Sequence, residues 1–182
     1  MKGVSLLKQA GRTQKLTLLA LFIALQVVFA NMVQIPFFSK QYHIGFLPIA
    51  VAGWHFGPVG AALVATIGDI IGANLFPTGP YFPGFTLSNL LVGLIYGLCL
   101  HRKPINIYWV GLTTFFTSCV YLFVNSLWLS MLYSSHGYMG FLWLRTPSFL
   151  IEVPLYSALT YLTLLSVTRF PLLKKLSSIK KQ

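Results

Sequence analysis

LFPTGPYFPGFTLSN, residues 75–89, separates two long apolar runs and does not have the composition of a simple connector. Four aromatic residues, three prolines and two glycines make it stiff and broad. On either side, residues 59–76 and 85–100 are apolar over close to the length of a membrane-spanning helix, which needs about 20 residues. Further apolar runs cover 16–32, 44–56, 106–132 and 147–168. The run at 44–56 is short for a span, so it is expected to tilt or to stop inside the protein.

Of the 182 residues, 56% are hydrophobic and 8% charged, with a mean hydropathy of +0.75. A soluble fold could not cover that much apolar surface. The expected fold class is all-α: an integral membrane bundle of six transmembrane helices. A net charge of +11 would suit nucleic acid if it were gathered on one face, but the charges are placed otherwise. Lys2, Lys8, Arg12 and Lys15 precede the first span, and Arg102 and Lys103 follow the fourth. Arg169, Lys174, Lys175, Lys180 and Lys181 follow the sixth. With six spans, all of these fall on one side and only Lys40 and Arg145 on the other, so both termini are expected in the cytoplasm. The chain then reads as a basic N-terminal segment (1–15), a membrane domain (16–168) and a basic tail (169–182). Its surroundings are the lipid bilayer of a cell membrane, with no nucleic-acid partner. Cys99 and Cys119 lie inside apolar runs without metal-ligand spacing and read as small buried hydrophobes.

Polar residues within spans are costly unless they are packed inside the bundle or line a cavity. In the fifth span Ser118, Tyr121, Asn125 and Trp128 recur at helical spacing as one stripe. Arg145, Ser148, Glu152 and Tyr156 make a second stripe in the sixth. Thr146 before Pro147 has the form of an N-cap and first helical residue, so the sixth span is expected to start there. Arg145 would then stand at the rim and Glu152 about 8 Å below the helix start, too far apart for a simple ion pair. Two readings of Glu152 remain: a buried carboxyl bonded to a tyrosine or backbone group, or a carboxylate that meets a donor on a ligand. Asp69, flanked by Gly68 and Gly72, reads either as a tie between the third span and its neighbours, which is favoured, or as a ligand-binding acid.

The 75–89 stretch falls on the outer side with the loops at 33–44 and 133–145. Tyr81, Phe82 and Phe85 could form an interfacial aromatic belt or a fixed lid, and the proline and glycine spacing favours the lid. Three aromatic-rich segments over two polar stripes predict a small, externally loaded pocket for a flat aromatic ligand. No G-x-x-x-x-G-K-[ST] loop, H-E-x-x-H or Ser/His/acid set occurs, so no catalytic residues, metal or cofactor are expected. Without inverted repeats the chain makes a poor ion-coupled carrier, and energy is expected from another protein.

On these residues the chain resembles the substrate-binding S components of energy-coupling factor (ECF) vitamin transporters, in the folate-family group. The resemblance extends over all six spans. It rests on FPTGPYFPGFTLS after an Asp-containing third span, on NSLWLSMLY ending the fifth, and on Arg145 soon afterwards. It implies a prokaryotic six-helix protein without catalytic activity that binds a vitamin from outside. Such a protein docks on a transmembrane scaffold subunit carrying two cytoplasmic ATPase subunits and topples in the membrane to deliver its ligand. It also implies docking through an A-x-x-x-A motif on the first helix, matched by Ala20 and Ala24, although small residues at that spacing also serve packing within a bundle. Folate-binding members carry a Lys three residues after the Arg and an apolar residue at the position of Glu152. Here Ser148 and Glu152 stand instead, which turns the expected ligand toward hydroxymethylpyrimidine or a vitamin B6-like compound, while folate could still be read through its pterin edge. The expected substrate-binding set is Glu152, Asn125, Trp128, Arg145, Tyr81, Phe82, Phe85, Tyr121 and Ser148. Rival readings are a self-sufficient secondary carrier of a small aromatic solute and a small membrane enzyme.

Overall fold

In the computed structural model, residues 2–37, 40–77, 80–133 and 137–169 are described. The tail beyond Arg169 and residues 38–39, 78–79 and 134–136 of the three outer segments lie outside them. Six helices and one hairpin follow in order: α1 (Lys2–Asn31), β1 (Gln34–Phe37), β2 (Lys40–His43), α2 (Phe46–Phe56), α3 (Pro58–Leu75), α4 (Pro83–Leu100), α5 (Ile107–Leu132) and α6 (Gly137–Arg169). Five of the helices are long and apolar enough to cross a membrane, and the exception is the 11-residue α2.

The short helix is the centre of the bundle. Phe46, Pro48, Ile49, Ala50, Val51, Ala52 and Gly53 are all buried, and α2 packs on α1, α3, α4 and α6. A helix enclosed by protein need not match the bilayer thickness, which is why its apolar run could be short. It ends at Gly57, whose φ of 82° favours glycine, and Pro58 starts α3 as the first helical residue. The elbow between them lies directly on α4: a Cβ at Gly97 would fall 2.1 Å from Pro58 Cα, and one at Gly93 2.7 Å from the Ala61 carbonyl. Small residues four apart let these backbones touch. Phe46, Ile49, Val64, Val92, Tyr96, Val110 and Leu164 form the core, while Leu63, Ile67, Phe116, Phe123, Leu150 and Ile151 are exposed on the outside of the bundle.

Two expectations are corrected at the outer end. Within the expected loop at 33–44, Gln34–Phe37 and Lys40–His43 pair as antiparallel strands, with Gln34 opposite His43 and Phe37 opposite Lys40. The ladder satisfies backbone groups at the rim of the bundle, and the hairpin is fastened to α6. Tyr42 donates to the Ser148 carbonyl at 3.2 Å, and Tyr156 donates to the His43 carbonyl at 3.3 Å. The second correction concerns α6, which begins at Gly137 and not at Pro147. Thr146 does not cap it; its hydroxyl donates to the Leu142 carbonyl at 2.8 Å. An apolar setting penalises every unpaired backbone group, so the helix runs through Pro147 and Pro154 at the loss of only their own ladder bonds. Most of the expected 133–145 loop is therefore helical. Arg145 lies about 12 Å along α6 rather than at its rim, and Glu152 about 22 Å along it.

Candidate binding site

A cavity of about 270 Å³ lies where all six helices meet. Gln26 and Asn31 reach it from α1, Phe46 and Ile49 from α2, Asp69 from α3 and Asn89 from α4. Tyr121 and Asn125 enter from α5, and Arg145, Glu152 and Tyr156 from α6. Glu152 is only 2% exposed. Tyr156 stacks on Phe46 with ring centroids 4.0 Å apart, which fixes the wall beside Glu152. Three buried polar atoms of this lining, Gln26 Oε1, Asn125 Oδ1 and Arg145 Nη1, have no hydrogen-bond partner among the described residues. Such groups cost stability when left unsatisfied, so their gathering around one cavity makes this the most polar part of the bundle interior.

A second cavity of about 320 Å³ adjoins the first and shares Gln26, Ala30, Asn31 and Asp69 with it. Its cover is the proline-rich stretch: Phe76, Pro80, Tyr81, Phe82 and Phe85 line it, facing Leu129, Leu132 and Tyr133. Phe82 meets Phe85 edge-on at 6.0 Å and lies 5.7 Å from Trp128. Together the two spaces fall within the size range of small-molecule sites.

α3 is fitted to these cavities by its small residues. A Cβ at Gly68 would sit 1.8 Å from Gln26 Oε1, and one at Gly72 would sit 2.6 Å from Asn31 Nδ2. The pair flanking Asp69 therefore admits two polar side chains of α1. Asp69 ties α3 to α4 by accepting from Thr86 Oγ1 at 2.6 Å and Asn89 Nδ2 at 2.8 Å.

The structure divides the sequence-predicted set into three groups. Tyr121, Asn125, Arg145 and Glu152 line the polar cavity, and Tyr81, Phe82 and Phe85 line the adjoining one. Trp128 and Ser148 line neither. The Trp128 indole donates to Ser88 Oγ at 3.0 Å, and a Cβ at Gly84 would fall 2.6 Å from its ring, so it supports the cover from α5. Ser148 is buried and offers its carbonyl to Tyr42. Gln26, Asn31, Gln34, His43 and Asn89 also line this cavity and were not expected. For the amides among them the one sequence signal is a lone amide inside an apolar run, as at Gln26. Away from the cavities, Ala20 and Ala24 both lie exposed on the outer surface of α1.

The family model described as "ECF transporter, substrate-specific component" matches residues 14–164. The chain is 31% identical over 164 residues to the folate transporter FolT of Clostridium novyi, covering 90% of this chain and 95% of the relative. It is 29% identical over 161 residues to the folate transporter FolT of Leuconostoc mesenteroides, covering 84% and 85% respectively. A solved structure described as FolT bound with folic acid superposes with a TM-score of 0.77 at 29% identity, over 88% of this chain and 95% of that one.

Proposed function

The chain belongs to the substrate-specific components of ECF transporters, multi-pass proteins of prokaryotic cell membranes, and we propose that it captures a folate-class vitamin for uptake. One observation carries this reading: Asn125, Arg145 and Glu152, polar side chains from two membrane-spanning helices, line one cavity together with Gln26. A pterin presents an amino group and a ring N–H on one edge, which suit a carboxylate and an amide oxygen. Glu152 and Asn125 are the residues assigned to that edge. Arg145, nearer the start of α6, takes a carboxylate of the glutamate end, for which a guanidinium is the matching fork. The aromatic cover of Tyr81, Phe82 and Phe85 offers faces to the flat middle of the ligand. Hydroxymethylpyrimidine or pyridoxine would satisfy Glu152 but would engage Arg145 less, and the names carried by the relatives favour folate.

The chain has no phosphate-binding loop, so ATP hydrolysis belongs to two partner ATPase subunits acting through a transmembrane scaffold. Ala20 and Ala24 are the docking pair on that scaffold, supported by their outward exposure. Both termini face the cytoplasm and the 75–89 cover faces outward, in keeping with the distribution of Lys and Arg. Titration of the purified protein with folic acid, hydroxymethylpyrimidine and pyridoxine tests the reading. Folic acid is expected to bind most tightly. Preference for either smaller compound would overturn the substrate assignment.

A further inference from the structure

We propose that Asp69 is a positioning residue that locks the aromatic cover to the wall of the polar cavity through a one-directional chain of hydrogen bonds. Both oxygens of Asp69 accept: Oδ2 takes the Thr86 hydroxyl hydrogen at 2.6 Å, and Oδ1 takes one from Asn89 Nδ2 at 2.8 Å. Thr86 has a single hydrogen and has already given it. In the 3.0 Å contact between the Tyr81 hydroxyl and Thr86 Oγ1, Tyr81 must therefore be the donor. At the other branch the Asn89 amide is oriented by the carboxylate, which leaves its Oδ1 to accept the Tyr121 hydroxyl at 2.7 Å. All four hydrogens thus point toward Asp69. One acceptor fixes a tyrosine of the cover and a tyrosine of the cavity wall.

The chain of bonds runs from a more buried interior to an exposed end. Thr86 is 8% exposed, Asp69 and Asn89 are half-buried and Tyr81 is 51% exposed, so water competes most strongly for the Tyr81 bond. That gradient suits a cover that releases at its tip for ligand entry and closes again on a fixed anchor. The proposal rests on the substrate reading only in taking ligand to pass beneath this cover. The bonds themselves do not depend on which ligand enters.

Hydrogen–deuterium exchange of residues 80–86 in the ligand-free protein tests it, because the readout needs no substrate. Asp69→Asn should raise exchange there by roughly tenfold and Tyr81→Phe by less. Tyr121→Phe, a change of one hydroxyl on α5, should also raise exchange at the cover, which a purely local structural role would not do. The exposed Tyr108→Phe should not. Combining Tyr81→Phe with Asp69→Asn should add little to Asp69→Asn alone. If Asp69→Asn does not fold, Thr86→Val cuts the same chain at nearly constant volume and should give the same rise. Unchanged exchange in Asp69→Asn or Thr86→Val, or an effect of Tyr121→Phe confined to α5, would overturn the proposal. Should the wild-type protein bind no folic acid, the substrate reading falls while the exchange result still decides the lock.

Discussion

Replacing Glu152 with Gln removes the charge and leaves the shape. The side chain is 2% exposed, so a ligand donor meeting it is not exchanged for bulk water, and the bond retains its charge-assisted strength. Such a bond contributes about 1.5–3 kcal/mol, so Glu152→Gln should raise the Kd for folic acid roughly 10- to 150-fold. The amide also presents an N–H₂ that can face a donor on the pterin edge, which places the effect toward the upper end. Tyr156 stacked on Phe46 keeps the neighbouring wall in place, and the unfolding temperature should change by no more than about 4 °C. Calorimetric titration beside a thermal melt separates the two quantities. Full-affinity binding by a folded Glu152→Gln protein would make the carboxyl structural and remove it from ligand recognition.

Arg145→Ala should weaken folic acid about a hundredfold and leave hydroxymethylpyrimidine or pyridoxine binding, where it occurs, nearly unaffected, because the buried Nη1 needs an anion to meet; equal losses for all three would deny it a carboxylate partner. Ala20→Trp combined with Ala24→Trp should abolish uptake in cells with binding by the purified protein intact, and unimpaired uptake would remove the docking assignment. Gly68→Ala puts a methyl carbon 1.8 Å from Gln26 Oε1, so the flexible Gln26 side chain must turn within the cavity: binding should weaken while the melt changes little, as read from titrations and melts, and unchanged binding would remove Gln26 from the site.

Much of the fold could be read because a membrane interior permits few alternatives. All six apolar runs became helices, and the shortness of 44–56 found its reason in an α2 enclosed by four neighbours. The errors lay where a local signal met that same constraint. Thr146 and Pro147 look like a helix start, yet continuing the ladder from Gly137 avoids leaving backbone groups unpaired, and the cap signal lost. Helical spacing placed Tyr121 and Asn125 correctly on one stripe with Ser118 and Trp128, but spacing cannot tell how far each side chain turns toward a neighbour. Trp128 found Ser88 on α4, and Ser118 is buried away from both cavities. Gln26 was missed because its place depends on Gly68, a residue distant in sequence whose missing side chain makes the room.

Native mass spectrometry of the protein purified from cells, released gently from its membrane mimic, reads the bound ligand directly. The expected result is a retained folate-class compound, displaced by added folic acid and lost in Glu152→Gln and Arg145→Ala. A retained pyrimidine or pyridine of lower mass that folic acid fails to displace would contradict the assignment.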